Sequence, residues 1–382
     1  MATTTSEFTA LHGLYRWPDT LKGVYYGPGC VTTALPNLLE TLQGRRALIV
    51  TGKSLNEKTD VIRRIEGILK DRQAYGSTFT GIGEHSPIAG IRQGVDAFLE
   101  HDCDIIVAVG GGSPIDASKA ILYHIQQKRG GPTPKQIAIP TTLSAAEYTS
   151  GAGFTNEEGH KTSVASPELT PSGIILDAEL TLPTPERLWF CTGIRALDHA
   201  VENLYRPGVP EPIKGFSYLA LADLFKYLPL SKQNPGDVNV RQKLQIAAWL
   251  SLWPVVANRL GGPGLSHFLG HKLGATYKIP HGITSCLTLA SVVALKSEIA
   301  SKEDKEALSE ALWYLHIPPT DSLDENVRKL SDEIQKLVSY LALNSTLAEY
   351  GVPKEDLPKI AALTVGSDDP QYPKVLEMLQ RL

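Results

Sequence analysis

The sequence predicts two parts, an α/β domain over residues 1–184 followed by an all-helical domain over residues 185–382. Three observations lead to this fold class. Short apolar runs alternate with helical patterns in the first half, two prolines interrupt the chain near residue 185, and beyond residue 190 apolar residues recur at helical spacing. The alternative is one continuous α/β domain with extra helices. The 382 residues suit two domains at roughly 150 residues each.

Four short apolar runs in the first half have the length and residue types of buried strands. They cover residues 47–51, 105–109, 136–140 and 174–176, and residues 57–70 form an amphipathic helical pattern after the first of them. Strands that alternate with helices favour a parallel sheet, because neighbouring parallel strands need a crossover connection that a helix supplies. We therefore expect a parallel sheet in the first domain.

The second half contains helical patterns. We predict helices over residues 193–205, 216–228, 241–256, 265–277, 305–316 and 325–344. No stretch beyond residue 190 alternates convincingly as a half-buried strand would. This pattern predicts that the second domain is built from helices alone.

Composition and charge argue against several classes of function. The formal net charge is −4 with no basic stripe, which makes a nucleic-acid partner improbable. The four cysteines are far apart and form no CxxC pair, which is typical of thiols in a reducing compartment. The longest apolar run, residues 283–295, is shorter than the about 20 residues that span a bilayer. The N-terminus is polar and lacks a secretory signal pattern, so we expect a cytoplasmic protein with no membrane role.

Three glycines at 110–112 stand between a predicted strand and a predicted helix. Glycine permits positive φ and lets a ligand approach the backbone closely. Ser113 suits the N-cap of the helix, Pro114 its first position and Asp116 the capping-box position. The backbone N–H groups at such a helix start can bind a pyrophosphate, although a tight turn without a ligand would show the same pattern. The spacing matches neither GxGxxG nor a P-loop.

Arg195, His199 and Glu202 share one face of the predicted helix at 193–205, because they are spaced by four and three residues. Three further histidines fall within 15 residues of one another: His267, His271 and His281. Imidazoles one helical turn apart can converge on a metal ion or on a substrate oxygen. Surface or core histidines also produce such pairs, so the spacing leaves both interpretations open.

Four segments together resemble the iron-containing alcohol dehydrogenase family, whose fold is similar to that of dehydroquinate synthase. They are GGGSPIDASK at 110–119, IPTTLSAAEYTS at 139–150, the helix around His199, and HFLGHKLGATYKIPHG at 267–282, in the family's order and nearly its spacing. The resemblance covers about residues 20 to 375. It implies a dinucleotide-binding N-terminal domain and a helical C-terminal domain, with the reaction in the cleft between them.

The resemblance also implies which residues bind the cofactor. The glycine loop would hold the pyrophosphate, Thr141 and Thr142 would line the cofactor trough, and Lys161 would lie near the ribose. In the family an aspartate after the first strand selects NAD, whereas here Gly52 and Lys53 follow that strand. We therefore expect NADP(H) to be preferred, with NAD(H) as the second option. The candidate cofactor-binding residues are Gly52, Lys53, Gly111, Gly112, Ser113, Asp116, Thr141, Thr142 and Lys161.

The family's metal ion, where present, is held by one aspartate and three histidines. His199, His267 and His281 match these histidines, and His271 matches a further histidine close to the nicotinamide and the substrate. Arg195 stands where the family has its aspartate, and a guanidinium repels a divalent cation instead of binding it. We therefore expect no metal; if one binds, the three matching histidines are its candidate ligands.

One branch of the family, the maleylacetate reductases, also lacks the aspartate and works without metal. The segments HAVENLY at 199–205 and EHSP at 84–87 and the short C-terminal end favour that branch. The preferred hypothesis is a metal-independent, NAD(P)H-dependent oxidoreductase that reduces a small oxo-acid, enone or aldehyde. Arg195 and the histidines would stabilise developing negative charge and bind a substrate carboxylate, and His271 or His267 would supply the proton.

Several alternatives stay open at this stage. Arg195 could be structural and pair with Glu202 or Asp198. Three histidines could suffice for a zinc- or iron-dependent alcohol dehydrogenase. The fold also hosts dehydroquinate synthase, so a non-redox lyase or isomerase, or a binding protein without catalysis, is a further option. The family's members are commonly dimers, which implies a homodimer acting on a small-molecule substrate.

Overall fold

The computed structural model describes residues 20–83, 88–157, 161–257 and 261–382, so the EHSP segment lies outside the described residues. Residue contacts divide the described chain into two compact units. The sheet unit contains residues 20–184 and 236–246, and the helical unit contains residues 185–235 and 247–382. The stretch 236–246 thus groups with the sheet, although it follows the predicted boundary.

The strands of the sheet unit are β1 Gly23–Tyr26, β2 Ala47–Thr51, β3 Tyr75–Phe79, β4 Ile105–Gly110, β5 Lys135–Pro140, β6 Gly151–Thr155, β7 Lys161–Ala165 and β8 Gly173–Leu176. Six of them form a parallel sheet in the order β1-β8-β5-β4-β2-β3. The strands β6 and β7 form a separate antiparallel pair. The predicted strands are confirmed as β2, β4, β5 and β8, and the predicted parallel sheet is confirmed with them.

Five helices lie between these strands along the chain: α1 Val31–Leu42, α2 Lys53–Lys58, α3 Val61–Asp71, α4 Ile88–Glu100 and α5 Gly112–Arg129. The helix predicted at 57–70 is instead divided between α2 and α3. Thr59 between them has an extended backbone, and its hydroxyl accepts a hydrogen bond from the Val61 amide at 3.3 Å. A threonine hydroxyl that bonds to the backbone competes with helical hydrogen bonds, which accounts for the break.

Both faces of the central strands are covered. Ile49 and Val107 belong to a core cluster shared with residues of α1 and α3, whereas Leu48 and Ile106 belong to one shared with residues of α4 and α5. Alternate residues of a strand point to opposite faces, so a strand covered on both faces reads as a continuous apolar run. The edge strands β1 and β3 are mostly half-buried, and for that reason they carry no such run and were not predicted.

The helical unit follows the sheet unit's last strand. Its helices are α6 Glu186–Leu204, α7 Glu211–Gln233, α8 Val238–Ala257, α9 Leu265–Tyr277, α10 His281–Ile299, α11 Lys302–Tyr314, α12 Leu323–Tyr340, α13 Leu357–Val365 and α14 Tyr372–Leu379. The first residues of α8 group with the sheet unit. Within the described ranges, no strand occurs beyond Leu176, so the predicted change from an α/β to an all-helical architecture is confirmed.

The helix α10 extends the 13-residue apolar run of the sequence at both ends. Among the described residues it is the one helix that is long and apolar enough to cross a membrane by length and composition. However, 72% of that stretch is buried inside the protein, and α10 packs against α6, α9 and α12. Its apolar character is accounted for by its central position in the helical unit.

Asp177, directly after β8, fastens the start of α1 to the sheet. Its carboxylate accepts hydrogen bonds from the backbone N–H groups of Gly29 at 2.8 Å, Val31 at 3.0 Å and Glu179 at 3.0 Å. The side chain is 0% exposed. Hydrogen bonds to a charged acceptor are the strong ones in proteins, and the first N–H groups of a helix have no partner within the helix itself.

We predict that Asp177→Ala lowers the free energy of unfolding by about 3 kcal/mol, because it leaves buried backbone donors without an acceptor. Urea denaturation followed by circular dichroism measures the change. Asp321→Ala, which removes an exposed carboxylate, is the control and should shift the midpoint little. Equal stability of the two variants would contradict the anchoring role of Asp177.

Candidate active site

The glycine loop joins the carboxyl end of β4 to the amino end of α5. The N-cap of α5 is Gly111, which is extended (φ −79°, ψ −162°), so the predicted N-cap at Ser113 is wrong by two residues. The helix therefore begins at Gly112, directly after the turn. Asp116 does not complete a capping box: its carboxylate pairs with the Lys119 amine at 2.8 Å.

The conformational demand falls on Gly110 rather than Gly111. Gly110 has φ +138°, and a Cβ there would lie 2.8 Å from Cγ of Pro114, so no other residue fits. A Cβ on Gly111 would lie 3.2 Å from Cγ2 of Thr142, and one on Gly112 would lie 3.3 Å from Oγ of Ser144. The loop therefore keeps a bare backbone against the residues that follow β5.

The carboxyl ends of β4 and β5 lie side by side at this point. The Thr141 N–H donates to the Gly110 carbonyl at 2.9 Å, and the Thr142 hydroxyl donates to that of Ser144 at 3.2 Å. Ligands of parallel α/β sheets bind at the carboxyl ends of strands, and the amino end of the 18-residue helix α5 favours an anion. Gly111, Gly112 and Thr142 are thus brought together, and the arrangement fits a dinucleotide pyrophosphate.

Lys119 is a buried residue of α5 whose contacts near the glycine loop were not predicted from the sequence. Its amine donates to Asp116 Oδ1 at 2.8 Å, to the Ala146 carbonyl at 2.7 Å and to Thr149 Oγ1 at 2.7 Å. The side chain is 0% exposed. The segment after β5 is thereby fastened to α5. Burial raises the pKa of the neighbouring Glu147 to about 7.

Gly52 and Lys53 follow β2, which pairs in parallel with β4 so that Thr51 lies opposite Val109. Gly52 is the N-cap of α2, and apart from its chain neighbours no atom of the described residues lies within 4 Å of the position its Cβ would take. The Lys53 side chain is 74% exposed and lies 3.8 Å from the Glu57 carboxylate. Lys161 is the first residue of β7, and its side chain lies outside the described part of the chain.

In the helical unit, three helices bring the four candidate histidines together. The ring centroids of His199 on α6 and His267 on α9 are 4.7 Å apart. His271 follows one turn later on α9, with its ring 6.3 Å from that of His267 and 5.9 Å from that of His281 at the start of α10. His199 and His267 are buried, whereas His271 and His281 are exposed.

Arg195 lies one turn before His199 on α6 and points among the same helices. Its Nη1 donates to Oγ of Ser285 on α10 at 3.2 Å and lies 3.7 Å from Oδ2 of Asp198. The helix α9 approaches closely here, since a Cβ on Gly270 would lie 3.7 Å from the same Nη1. Of the two carboxylates that could pair with Arg195, the structure therefore shows Asp198 at ion-pair distance.

Asp198 is the hub of this cluster, and the sequence analysis considered it only as a possible partner of Arg195. Its Oδ2 accepts hydrogen bonds from the hydroxyls of Ser285 at 2.6 Å and Ser266 at 3.0 Å. The same oxygen lies 3.5 Å from Nδ1 of His267. One buried carboxylate thus links α6 to both α9 and α10. Scattered serines give no sequence signal for such a contact.

Glu202 caps the amino end of α9 from α6. Its carboxylate accepts hydrogen bonds from the backbone N–H groups of Gly264 at 2.8 Å, Ser266 at 2.8 Å and His267 at 3.3 Å. Its Oε2 also lies 2.9 Å from Nδ1 of His267, although the angle is not that of a hydrogen bond. The helix that carries two candidate histidines is therefore positioned by this side chain.

The pKa values of the two buried histidines are shifted in opposite directions. Burial, together with His267 and Arg195, holds the pKa of His199 well below its usual value. Burial and Arg195 also lower the pKa of His267, but Asp198 and Glu202 outweigh them and raise it above its usual value. At neutral pH His199 is consequently a neutral imidazole, while His267 faces two carboxylates that favour its protonated form.

The group formed by Asp198, Glu202 and His267 matches a divalent cation poorly. Asp198, Glu202 and His267 hold ligand atoms within 4.8 Å of one another. However, both Glu202 oxygens are occupied by backbone N–H groups, and the Asp198 oxygen that faces His267 is bonded to two serines and lies near Arg195. A guanidinium beside these atoms repels a metal ion.

We predict that Glu202→Gln lowers the free energy of unfolding by about 3 kcal/mol, since an amide NH₂ would face backbone donors that now bond to a buried carboxylate. Thermal and urea denaturation check the change. Glu306→Gln, at a side chain that is 54% exposed, is the matched control. Unfolding of the Glu202 variant at the same urea concentration as the control would disprove the capping role.

Comparison with known proteins places the chain in a family. The family model for iron-containing alcohol dehydrogenases matches residues 22–178, and the model for the C-terminal region of the same family matches residues 190–379. The expected resemblance to this family is thereby confirmed over most of the chain.

Several individual proteins are similar over most of their length. The NAD-dependent methanol dehydrogenase of Bacillus methanolicus is 27% identical over 85% of this chain and 86% of its own. Maleylacetate reductase 1 of Cupriavidus pinatubonensis is 28% identical over 93% and 91%, and the NADPH-dependent butanol dehydrogenase of Clostridium saccharobutylicum is 25% identical over 88% and 87%.

Solved structures show the same fold. A 1,3-propanediol oxidoreductase superimposes with a TM-score of 0.86 at 23% identity, covering 97% of this chain and 100% of the other. The sulfoacetaldehyde reductase of Bifidobacterium kashiwanohense, in complex with NAD⁺, has a TM-score of 0.81 at 21% identity, with 97% and 99% covered. The fold, the two family models and the full-length relatives agree, and the chain belongs to the iron-containing alcohol dehydrogenase family.

Proposed function

We propose that this NAD(P)-dependent oxidoreductase reduces a small oxo-acid, enone or aldehyde and does so without a metal ion. The observation that carries the proposal is the position of Arg195. Its guanidinium lies in the histidine cluster, hydrogen-bonded to Ser285 and 3.7 Å from Asp198. The family's anionic metal ligand is expected at this position, and the charge here is opposite.

The charges of the cluster support a metal-free site. Arginine stays protonated in proteins, so Arg195 cannot become a ligand by losing a proton. The two nearby carboxylates are occupied, Asp198 by serine hydroxyls and Glu202 by the backbone of α9. A cation added to this cluster would have to displace these partners and overcome the repulsion of the guanidinium.

The chain's own residues supply the remaining chemistry. The cofactor, when bound, provides the hydride. Arg195 donates N–H groups to a substrate carboxylate or to the oxygen on which negative charge develops, which lowers the barrier where that charge is largest. The proton comes from His271 or His267, and the exposure of His271 favours it as the group that meets the substrate.

A second candidate function is a metal-dependent alcohol dehydrogenase. It is favoured by the ring centroids of His199 and His267, which lie 4.7 Å apart; His281 lies 5.9 Å from His271, one turn after His267. Three histidines and a water form a workable zinc site. The two functions differ in one measurable property, the metal content of the active enzyme.

We predict that the purified protein retains full activity after chelation and holds far less than one iron or zinc per chain, as measured by elemental analysis. Arg195→Asp should raise the zinc affinity by at least about tenfold, because it exchanges a repelling charge for a ligand. Arg187→Asp, an exposed site on the same helix, is the charge-matched control. About one metal per chain, lost together with activity on chelation, would establish the metal-dependent function instead.

We further propose that NADP(H) is preferred over NAD(H). At Gly52 there is open space and no carboxylate to repel a 2′-phosphate. The neighbouring Lys53 is 74% exposed, and among the described residues its amine has one ion-pair partner, Glu57 at 3.8 Å. The amine is therefore available to a phosphate. Named relatives include one NAD-dependent and one NADPH-dependent enzyme, so the choice depends on residues of this kind.

We predict that NADP(H) binds at least several-fold more tightly than NAD(H), and that Gly52→Asp reverses the order by repelling the 2′-phosphate and accepting ribose hydrogen bonds. Calorimetric titration of both cofactors measures this. Gly67→Asp, at another glycine with open space around it, controls for the added charge. Tighter NADH binding by the unchanged enzyme would refute the preference.

We also propose a cellular location, a type of substrate and an oligomeric state. All four cysteines are free, which supports a reducing, cytoplasmic location. We infer a small-molecule substrate and a homodimer, the latter from the family resemblance. Gel filtration with light scattering tests the dimer.

A further inference from the structure

Ser285 connects Arg195 to Asp198 through a directed pair of hydrogen bonds. Arg195 Nη1 donates to Ser285 Oγ at 3.2 Å, and Ser285 Oγ donates to Asp198 Oδ2 at 2.6 Å. A hydroxyl has one proton and two lone pairs, and here the proton goes to the carboxylate while a lone pair accepts from the guanidinium. The direction of both bonds is therefore fixed by the charges at the two ends.

The direct contact between the two charged groups is looser. Nη1 of Arg195 lies 3.7 Å from Oδ2 of Asp198, which is beyond hydrogen-bond distance. Among the residues that the structure describes, Ser285 is the one hydrogen-bond partner of the Arg195 side chain. Asp198 thus attracts the guanidinium, but Ser285 sets its orientation.

Most of the donors of Arg195 are left for another partner. A guanidinium carries several N–H groups in a planar fork that matches a carboxylate, and the Ser285 bond involves Nη1. The side chain is 10% exposed, so it is largely desolvated. A buried guanidinium with unused donors binds an anion more strongly than a solvated one.

We propose that Ser285 is a positioning residue for substrate specificity: with Asp198 it fixes one edge of Arg195, so that the other N–H groups face a carboxylate of the substrate. The inference rests on the proposed function, because it takes Arg195 as the group that meets the substrate. Ser285 is itself 1% exposed and acts through Arg195. The enzyme therefore prefers carbonyl substrates that carry a carboxylate over neutral ones of the same size.

The test compares Ser285→Ala, which removes the bridging hydroxyl, with Ser285→Thr, which keeps it. Ser331→Ala is the matched control, since Ser331 is another buried serine and bonds to the Ala290 carbonyl of α10. Oxalate is titrated calorimetrically into the enzyme saturated with NADP⁺. In parallel, NADPH oxidation is followed with glyoxylate and with its neutral counterpart glycolaldehyde.

We expect Ser285→Ala to weaken oxalate binding and to raise the KM for glyoxylate, each by about tenfold, because one oriented hydrogen bond to a charged group is lost. The KM for glycolaldehyde should rise by about twofold. Ser285→Thr should restore most of the oxalate affinity, and Ser331→Ala should change it little. In an Arg195→Lys background, Ser285→Ala should have no further effect, because the two residues act as one unit.

The outcomes separate the inference from the proposed function. Unchanged oxalate binding in Ser285→Ala, additive effects in the double variant, or no oxalate binding by the unchanged enzyme would each overturn the inference. Oxalate binding that depends on Ser285, with no carbonyl reduced, would support the anion site and overturn the reductase. A melting temperature of Ser285→Ala equal to that of Ser331→Ala shows that the comparison concerns orientation rather than folding.

Discussion

The carboxylate of Glu202 accepts three backbone N–H groups at the start of α9, where the helix dipole is positive and the helix itself offers no acceptor. Because Glu202 belongs to α6, this contact sets the position of α9 relative to α6. His267 and His271 belong to α9, and His199 and Arg195 belong to α6. The spacing of the candidate reactive groups on these two helices therefore depends on this buried charge, together with the bond from Ser266 to Asp198. A Cβ on Gly264 would lie 2.6 Å from that carboxylate, so the glycine is part of the same constraint.

Asp198 is the second buried carboxylate of the cluster, and both carboxylates have partners within the protein. Asp198 and Glu202 are both fully buried. Arg195 is the positive group beside them, 3.7 Å from Asp198, and the two carboxylates raise the pKa of His267. Buried ions are stable only when they are paired and their remaining donors and acceptors are bonded. Serine hydroxyls on α9 and α10 supply the missing hydrogen bonds to Asp198. Protein groups thus supply the positive charge and the hydrogen bonds that these two buried carboxylates need.

The elements predicted correctly from the sequence are those in which burial or helical spacing restricts the residue types. The strands β2, β4, β5 and β8 were predictable because burial on both faces demands continuous apolar runs, and α9 was predictable over its full length. The histidine and arginine positions came from helical spacing and from the family resemblance. The helix break at Thr59 and the N-cap at Gly111 were not predicted, because threonine and glycine occur both within helices and at their ends.

The partners of the candidate site were harder to see than its members. Ser266, Ser285 and Lys119 become significant only when the fold brings them to a charged group, and no spacing in the sequence announces this. Glu202 was recognised as sharing a face with Arg195 and His199, but its actual partner is the backbone of α9. Backbone groups carry no residue type, so a contact to them leaves no trace in a sequence pattern.

The pairing of Arg195 with Asp198 also limits how this site can drift. Replacing Asp198 alone would leave a buried guanidinium without its nearest counterion, and replacing Arg195 alone would leave two buried carboxylates with His267 as their nearest basic group. Either step costs stability, whereas changing both together does not strand a charge. We therefore expect the two positions to vary together, and Ser285, which bonds to both, with them. A substitution at either position alone is therefore expected to give a less stable protein, which makes this pair a barrier to sequence change in α6.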